Sequence, residues 1–149
     1  MKKAKEMKRH QTLIPISREH HEILMLAQLL KEGAPPYRGM PKSHSDKLKH
    51  AEKEYQRLIL PHLKRDMERL FPFLQPYHKF EAQLAALNIL QEEIKELFDK
   101  VLRLESKEKN DLGLKLEKYV RTKERSLFQE VQNELKESEL QSLSNHLYQ

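Results

Sequence analysis

The stretch LKHAEKEYQRLILPHLKRDMERLFPFL, residues 48–74, decides how this chain folds. Leu48, Ala51, Tyr55, Leu58 or Ile59, and Leu70 recur at three- and four-residue intervals, the period of one helix face. His62 and Asp66 fall on the same face, where an apolar residue would be expected. Spaced i, i+4, an imidazole and a carboxylate can reach one centre, and together they suit iron, zinc or manganese. The same spacing also makes an ordinary helix pair. Pro61 lies inside the pattern and should kink the helix, which is expected to end near Phe71 and Pro72.

The neighbouring segments read the same way. Upstream, Ile14-Pro15-Ile16-Ser17 opens a first helix with Ser17 as the expected N-cap, and its face is Ile23, Leu24, Ala27 and Leu30. Gly33 stops it, and Pro35 and Pro36 follow. Ser45 or Asp46 should start the second helix. A third helix, from about His78 to Leu104, carries Leu84, Leu87, Gln91, Ile94, Leu97 or Phe98, and Val101. A fourth, from Asn110-Asp111, carries Leu112, Leu116, Tyr119, Lys123, Leu127, Val131 and Leu135. Four long periodic segments with short connections make an all-α fold, an antiparallel up-down-up-down four-helix bundle. The expected organisation is a basic N-terminal tail over residues 1–12, the bundle over 13–137, and a C-terminal tail over 138–149 that can form a further turn of helix.

Composition narrows the functional classes. The 149 residues suggest one domain. With 34% charged residues and only 3 Gly, the chain favours long amphipathic helices over sheet. It has no Cys, which excludes disulfides and thiolate metal sites. No run of 18 apolar residues occurs, so no transmembrane helix is expected. The basic N-terminus lacks an apolar signal-peptide core, and a cytoplasmic location is the default. Of the net charge of +5, residues 1–10 supply +4, from five Lys/Arg and one Glu. Such a tail can meet nucleic acid or anionic lipid, but its ordinary role is solvation, and nucleic acid is not the expected partner. No Gly-rich phosphate loop or nucleophile motif points to an enzyme.

The chemistry therefore rests on polar residues at inward positions. His20 lies three residues before Ile23 and four before Leu24, on the apolar face of the first helix. His21 lies about 100° round the helix, as the alternative. Gln91 interrupts the stripe of the third helix, and an amide is a poor transition-metal ligand. Tyr119 could ligate ferric iron as a phenolate. Lys123 would repel a cation, and on an inner face it needs a partner. Asp66 is the natural one, so that an Asp66–Lys123 ion pair would fill the space of a metal.

These segments carry a family resemblance. RHQTLIPISREHHEILMLAQLLKEG, residues 9–33, is similar to the first helix of bacterial haemerythrin-like proteins. HLKRDMERLFPFL, residues 62–74, and LEKYVRTKERSLFQEVQ, residues 116–132, resemble their second- and fourth-helix motifs, in which His-x-x-x-Glu precedes Phe-Pro or a Leu-Phe pair. The resemblance covers residues 9 to 135. It implies a four-helix bundle with a non-haem di-iron centre that binds oxygen, senses oxygen or redox state, or handles iron. Position by position, His20, with His21 as alternative, and His62 match ligand histidines, and Asp66 stands where Glu is usual. Gln91, or Asn88 if a loop shifts the match, and Tyr119 replace histidines, and Lys123 replaces the bridging Glu.

Two functional expectations result. In the first, the bundle is metal-free, with an internal network of His20, His62, Asp66, Gln91, Tyr119 and Lys123, and acts as a structural, interaction or regulatory domain with a protein partner. In the alternative, His20, His62 and Asp66 hold residual non-haem iron, with or without Tyr119, for oxygen or redox sensing.

Overall fold

A computed structural model describes residues 8–35 and 38–149. The expected basic tail falls largely on residues 1–7, and Pro36 on the second gap, both outside the described residues. Among the described residues the chain is all-helical, with five helices and no strand. Helix α1 is Ile14–Leu30, and α2 is the continuous run of residues 44–74. Helix α3 is Glu81–Asp99, flanked by 3-10 turns His78–Phe80 and Val101–Arg103. Helix α4 is the run of residues 106–134, and α5 is Glu137–Tyr148.

Local chemistry sets the ends, and it moves several of them from where the sequence placed them. Helix α1 starts at Ile14, one turn before Ser17, because Pro15 fits a first turn whose N–H groups have no helical partner. The Ser17 hydroxyl is then free to donate to Glu124 at 2.7 Å. Gly33 takes φ +73° just beyond the last turn, a conformation that costs glycine little. Ser43 caps α2 by accepting from the Asp46 N–H at 3.1 Å. Helix α4 begins at Ser106 instead of Asn110, where the Glu108 carboxylate accepts from the Glu105 N–H.

Pro61 and Pro72 do not end α2. Each follows a widened π-helical turn, Tyr55–Ile59 and Asp66–Leu70, in which the closing N–H reaches back five residues. A proline has no N–H and presses on the carbonyl four residues earlier, and a wider turn removes both demands. A third π turn, Lys123–Leu127, interrupts α4.

Every polar residue expected on an inner face is buried there except His21, which is exposed. The C-terminal segment is a packed helix, with Leu140, Leu143 and Leu147 buried. The described part of the N-terminal segment is docked as well. Arg9 donates to the Glu124 backbone carbonyl at 3.0 Å, and the Thr12 hydroxyl to that of Leu140 at 3.2 Å. Between helices, Lys31 pairs with Glu117, Glu22 with Arg57, and Glu93 with Lys115.

Helices α1 and α4 pass close to each other at Gly113. A Cβ there would lie 2.7 Å from the Ala27 carbonyl oxygen and 3.1 Å from the Lys31 nitrogen. Helix propensity alone favours alanine over glycine by about 1 kcal/mol. Backbone cannot yield as a side-chain end can, so the clash wins. Gly113→Ala should cost about 1–3 kcal/mol in urea unfolding. A gain in stability would mean that the two helices can part without loss.

Candidate functional site

Helices α1, α2, α3 and α4 supply a polar cluster sealed inside the apolar core. Asp66, Gln91 and Lys123 have no solvent exposure, and His20, His62 and Tyr119 have 2% or less. The Lys123 ammonium donates to Asp66 Oδ2 at 2.5 Å and to His62 Nε2 at 2.9 Å. Tyr119 donates its hydroxyl proton to the same Asp66 oxygen at 2.6 Å. Gln91 stands behind, donating to Tyr119 Oη at 2.8 Å and to the Leu63 carbonyl at 3.1 Å. Two of the π turns begin at Asp66 and at Lys123, so the backbone widens where these side chains turn inward.

The histidines connect this centre to the surface. His62 Nδ1 lies 2.7 Å from Glu19 Oε1, and His20 Nδ1 lies 2.5 Å from Glu124 Oε2. A carboxylate accepts only, so each Nδ1 carries the proton and each Nε2 is a bare lone pair. For His62 that lone pair accepts a hydrogen bond from Lys123, whereas His20 Nε2 and Asp66 Oδ1 have no partner among the described residues. The two imidazole centroids are 5.0 Å apart, and the Phe128 ring stacks on His20. Each outer carboxylate has a guanidinium beside it, Arg65 at Glu19 and Arg9 at Glu124, both at 2.9 Å. Three ion pairs result, one buried and two at the rim, with a neutral histidine between the centre and each rim pair.

The charges follow from these neighbours. Burial pulls the Asp66 carboxyl upward, but the Lys123 charge, His62 and the hydrogen bonds from Lys123 and Tyr119 together outweigh it and hold the carboxyl below its ordinary value. Burial lowers the Lys123 pKa, and Asp66 opposes that shift. Tyr119 is raised well above the usual phenol value by burial and by the Asp66 charge, so it holds its proton. His62 is lowered by burial and by Lys123. The same two causes take His20 down to about 3. Glu124 is raised by burial but carried down to about 2 by its bonds to His20 and Ser17 and by Arg9.

On the acid side the lowered values of His20, His62, Asp66 and Glu124 all act on stability in one direction. Below its ordinary value of 6.5, His20 takes up a proton in the unfolded chain that the folded chain refuses down to about 3. Its contribution is complete above pH 6.5 and is lost as pH falls toward 3. Glu124 adds a second loss between its ordinary 4.5 and about 2. The urea midpoint should therefore fall continuously as the pH drops from 6.5, and His20→Gln should flatten the upper part of that slope. A midpoint that holds steady from pH 7 to pH 5 would refute the His20 assignment.

A resident metal does not fit the residues present. The Lys123 ammonium sits between His62 and Asp66, Tyr119 is a protonated donor, and Gln91 turns its amide nitrogen toward Tyr119. Among the described residues, no three His, Cys, Asp or Glu side chains are placed to hold an ion. His21 points away to solvent and takes no part.

The sequence reading missed Glu19, Arg65, Glu124 and Arg9. Three of them carried a signal: Glu19 adjoins His20, Arg65 adjoins Asp66, and Glu124 adjoins Lys123. A charged residue next to a buried polar one lies at the edge of the same helix face, within reach of a neighbouring helix. Among the described residues no helix is long and apolar enough to cross a membrane. No family model, curated protein or solved structure matches the chain.

Proposed function

We propose that this chain is an antiparallel, up-down-up-down bundle of four helices, of the haemerythrin-like kind, with α5 packed against it. In this reading it works without a metal, as a structural, interaction or regulatory domain and not as an enzyme. The order of the cross-links supports the topology. Along α1 and α4, Ser17 meets Glu124 while Lys31 meets Glu117. Along α1 and α2, Glu19 meets His62 while Glu22 meets Arg57. Along α3 and α4, Gln83 meets Ser126 while Glu93 meets Lys115. In each pair, numbers rise on one helix as they fall on the other.

The observation that carries the functional reading is the position of the Lys123 nitrogen, bonded to both Asp66 and His62. It supplies the positive charge that a metal would bring, tethered to the chain. The test is elemental analysis of untagged protein purified under iron-replete, low-oxygen conditions, repeated after iron loading. Folded helical protein with far less than one metal per chain is the expected result. Near-stoichiometric iron would overturn this reading in favour of iron on His20, His62 and Asp66, with oxygen or redox sensing as the role.

A further inference from the structure

Large apolar side chains gather on the outer side of the molecule centred on α3. Ile89 is 63% exposed there. Beside it, exposed Met67 of α2 shares a groove of about 360 Å³ with Phe71, Leu84 and Ala85. On its other side, exposed Leu114 of α4 shares a second groove with Leu90. Ala82, Ala85, Ala86 and Ile89 follow the three- and four-residue spacing of one face of α3, and all four are exposed. An exposed apolar belt that crosses three helices is the mark of a contact surface.

The charges beside the belt say what covers it. Along α3 and the turn before it, the exposed face runs Lys79, then the four apolar residues, then Glu92 and Glu96. Ala82 and Ile89 are equidistant from the midpoint between Ala85 and Ala86, and so are Lys79 and Glu92. A face that is basic at one end, apolar in the middle and acidic at the other complements itself when reversed.

The α2 side repeats the match. Gln91 donates to the Leu63 carbonyl, so Lys64 stands level with the acidic half of α3, while Glu81 lies at the start of α3 and lines the Met67 groove. Lys64 and Glu81 are both exposed, and neither belongs to an ion pair among the described residues. Reversal about the same midpoint brings Lys64 of one copy level with Glu81 of the other, on the same side. The remaining charges are mixed in sign. Lys79 pairs with Glu134, Lys115 with Glu93, and Lys95 with Glu92 at 4.0 Å. Glu68 lies one turn beyond Lys64 on α2, and Lys118 and Asp111 flank the Leu114 groove. No block of one sign would repel a second copy.

We infer that this face binds a second copy of the chain, with α3 antiparallel to α3 about a two-fold axis between Ala85 and Ala86. Ile89 of each copy rests on Ala82 of the other, and Lys64 pairs with Glu81 across the interface, twice. Such an interface is self-complementary and closes at two copies. It lies on the outer surface and does not depend on what the buried cluster holds.

The test is sedimentation velocity of the full chain at rising concentration. The 17.9 kDa chain should pass into a species of twice that mass. Ile89→Asp should raise the dissociation constant about tenfold or more, because a two-fold interface carries the substitution twice. Leu102→Asp, exposed in the turn Val101–Arg103 beyond α3, should leave it unchanged. Lys64→Glu and Glu81→Lys should each weaken the dimer, and the two together should restore it. All these side chains are exposed, and circular dichroism of each variant checks that it folds. A chain that stays monomeric up to about 1 mM, a dimer indifferent to Ile89→Asp, or a charge swap that fails to restore association would each overturn the assignment.

Discussion

Lys123→Met should lower the unfolding free energy by about 3–5 kcal/mol at neutral pH, because it leaves a buried charge without its partner. Asp66 has no solvent exposure, and its remaining protein bond, from Tyr119, carries no formal charge. The substitution should act through Asp66 and not through lost packing, because methionine nearly fills the volume of the lysine stem. That assignment is testable in a cycle. Adding Asp66→Leu should recover much of the loss, since an apolar pair of similar volume commonly matches a buried ion pair. The Tyr119 hydroxyl then lacks its acceptor, a cost of about 1–3 kcal/mol that Tyr119→Phe should remove. A single variant as stable as the parent, or a double variant no better than the single, would sink the account.

Lys123→Glu should have the opposite chemistry and an equally large effect. It places a second carboxylate beside Asp66, and two like charges in a dry site cannot both ionise cheaply. Without metal the variant should be at least as destabilised as Lys123→Met. Zinc(II) or manganese(II) should then restore it, by about 2.7 kcal/mol at one hundred times the dissociation constant. The reason lies in the histidines. Glu19 and Glu124 hold the Nδ1 protons of His62 and His20, which fixes both rings and leaves the Nε2 lone pairs available. Carboxylates in that position orient ligating histidines in metal proteins. Thermal melts with and without metal would read the effect. A variant that melts at the same temperature in both conditions would show that the rings are not held as described.

The inner faces of all four long helices were legible in the sequence because burial follows helical period. His20, His62, Asp66, Gln91, Tyr119 and Lys123 could be picked out as polar residues on apolar stripes, and all are buried. The ion pair of Asp66 and Lys123 followed from the cost of burying either alone. Helix ends were less legible. Glu105 and Ser43 are not distinguished from their neighbours until the turn that each precedes is known. The rim pairs Arg9–Glu124 and Arg65–Glu19 were hidden because a charged boundary residue looks the same whether it meets water or another helix. The π turns left a trace that can be read in retrospect. Leu58, His62, Asp66 and Leu70 are four apart throughout, as are Tyr119, Lys123, Leu127, Val131 and Leu135. On an unbroken α-helix each step of four overshoots a full turn by about 40°. Such a run would wind off the core, and only wider turns keep it there.

The same turns alter how the chain must be aligned. A π turn spends one residue more than an α turn for the same circuit of the axis. Helix α2 holds two such extra residues, after Glu54 and after Arg65, and α4 holds one after Thr122. A chain that makes the same packing contacts with uninterrupted α-helices would be shorter by single residues within the helices, while its loops kept their length. Matching it to this one would require gaps inside α2 and α4, where helices are ordinarily assumed to have none.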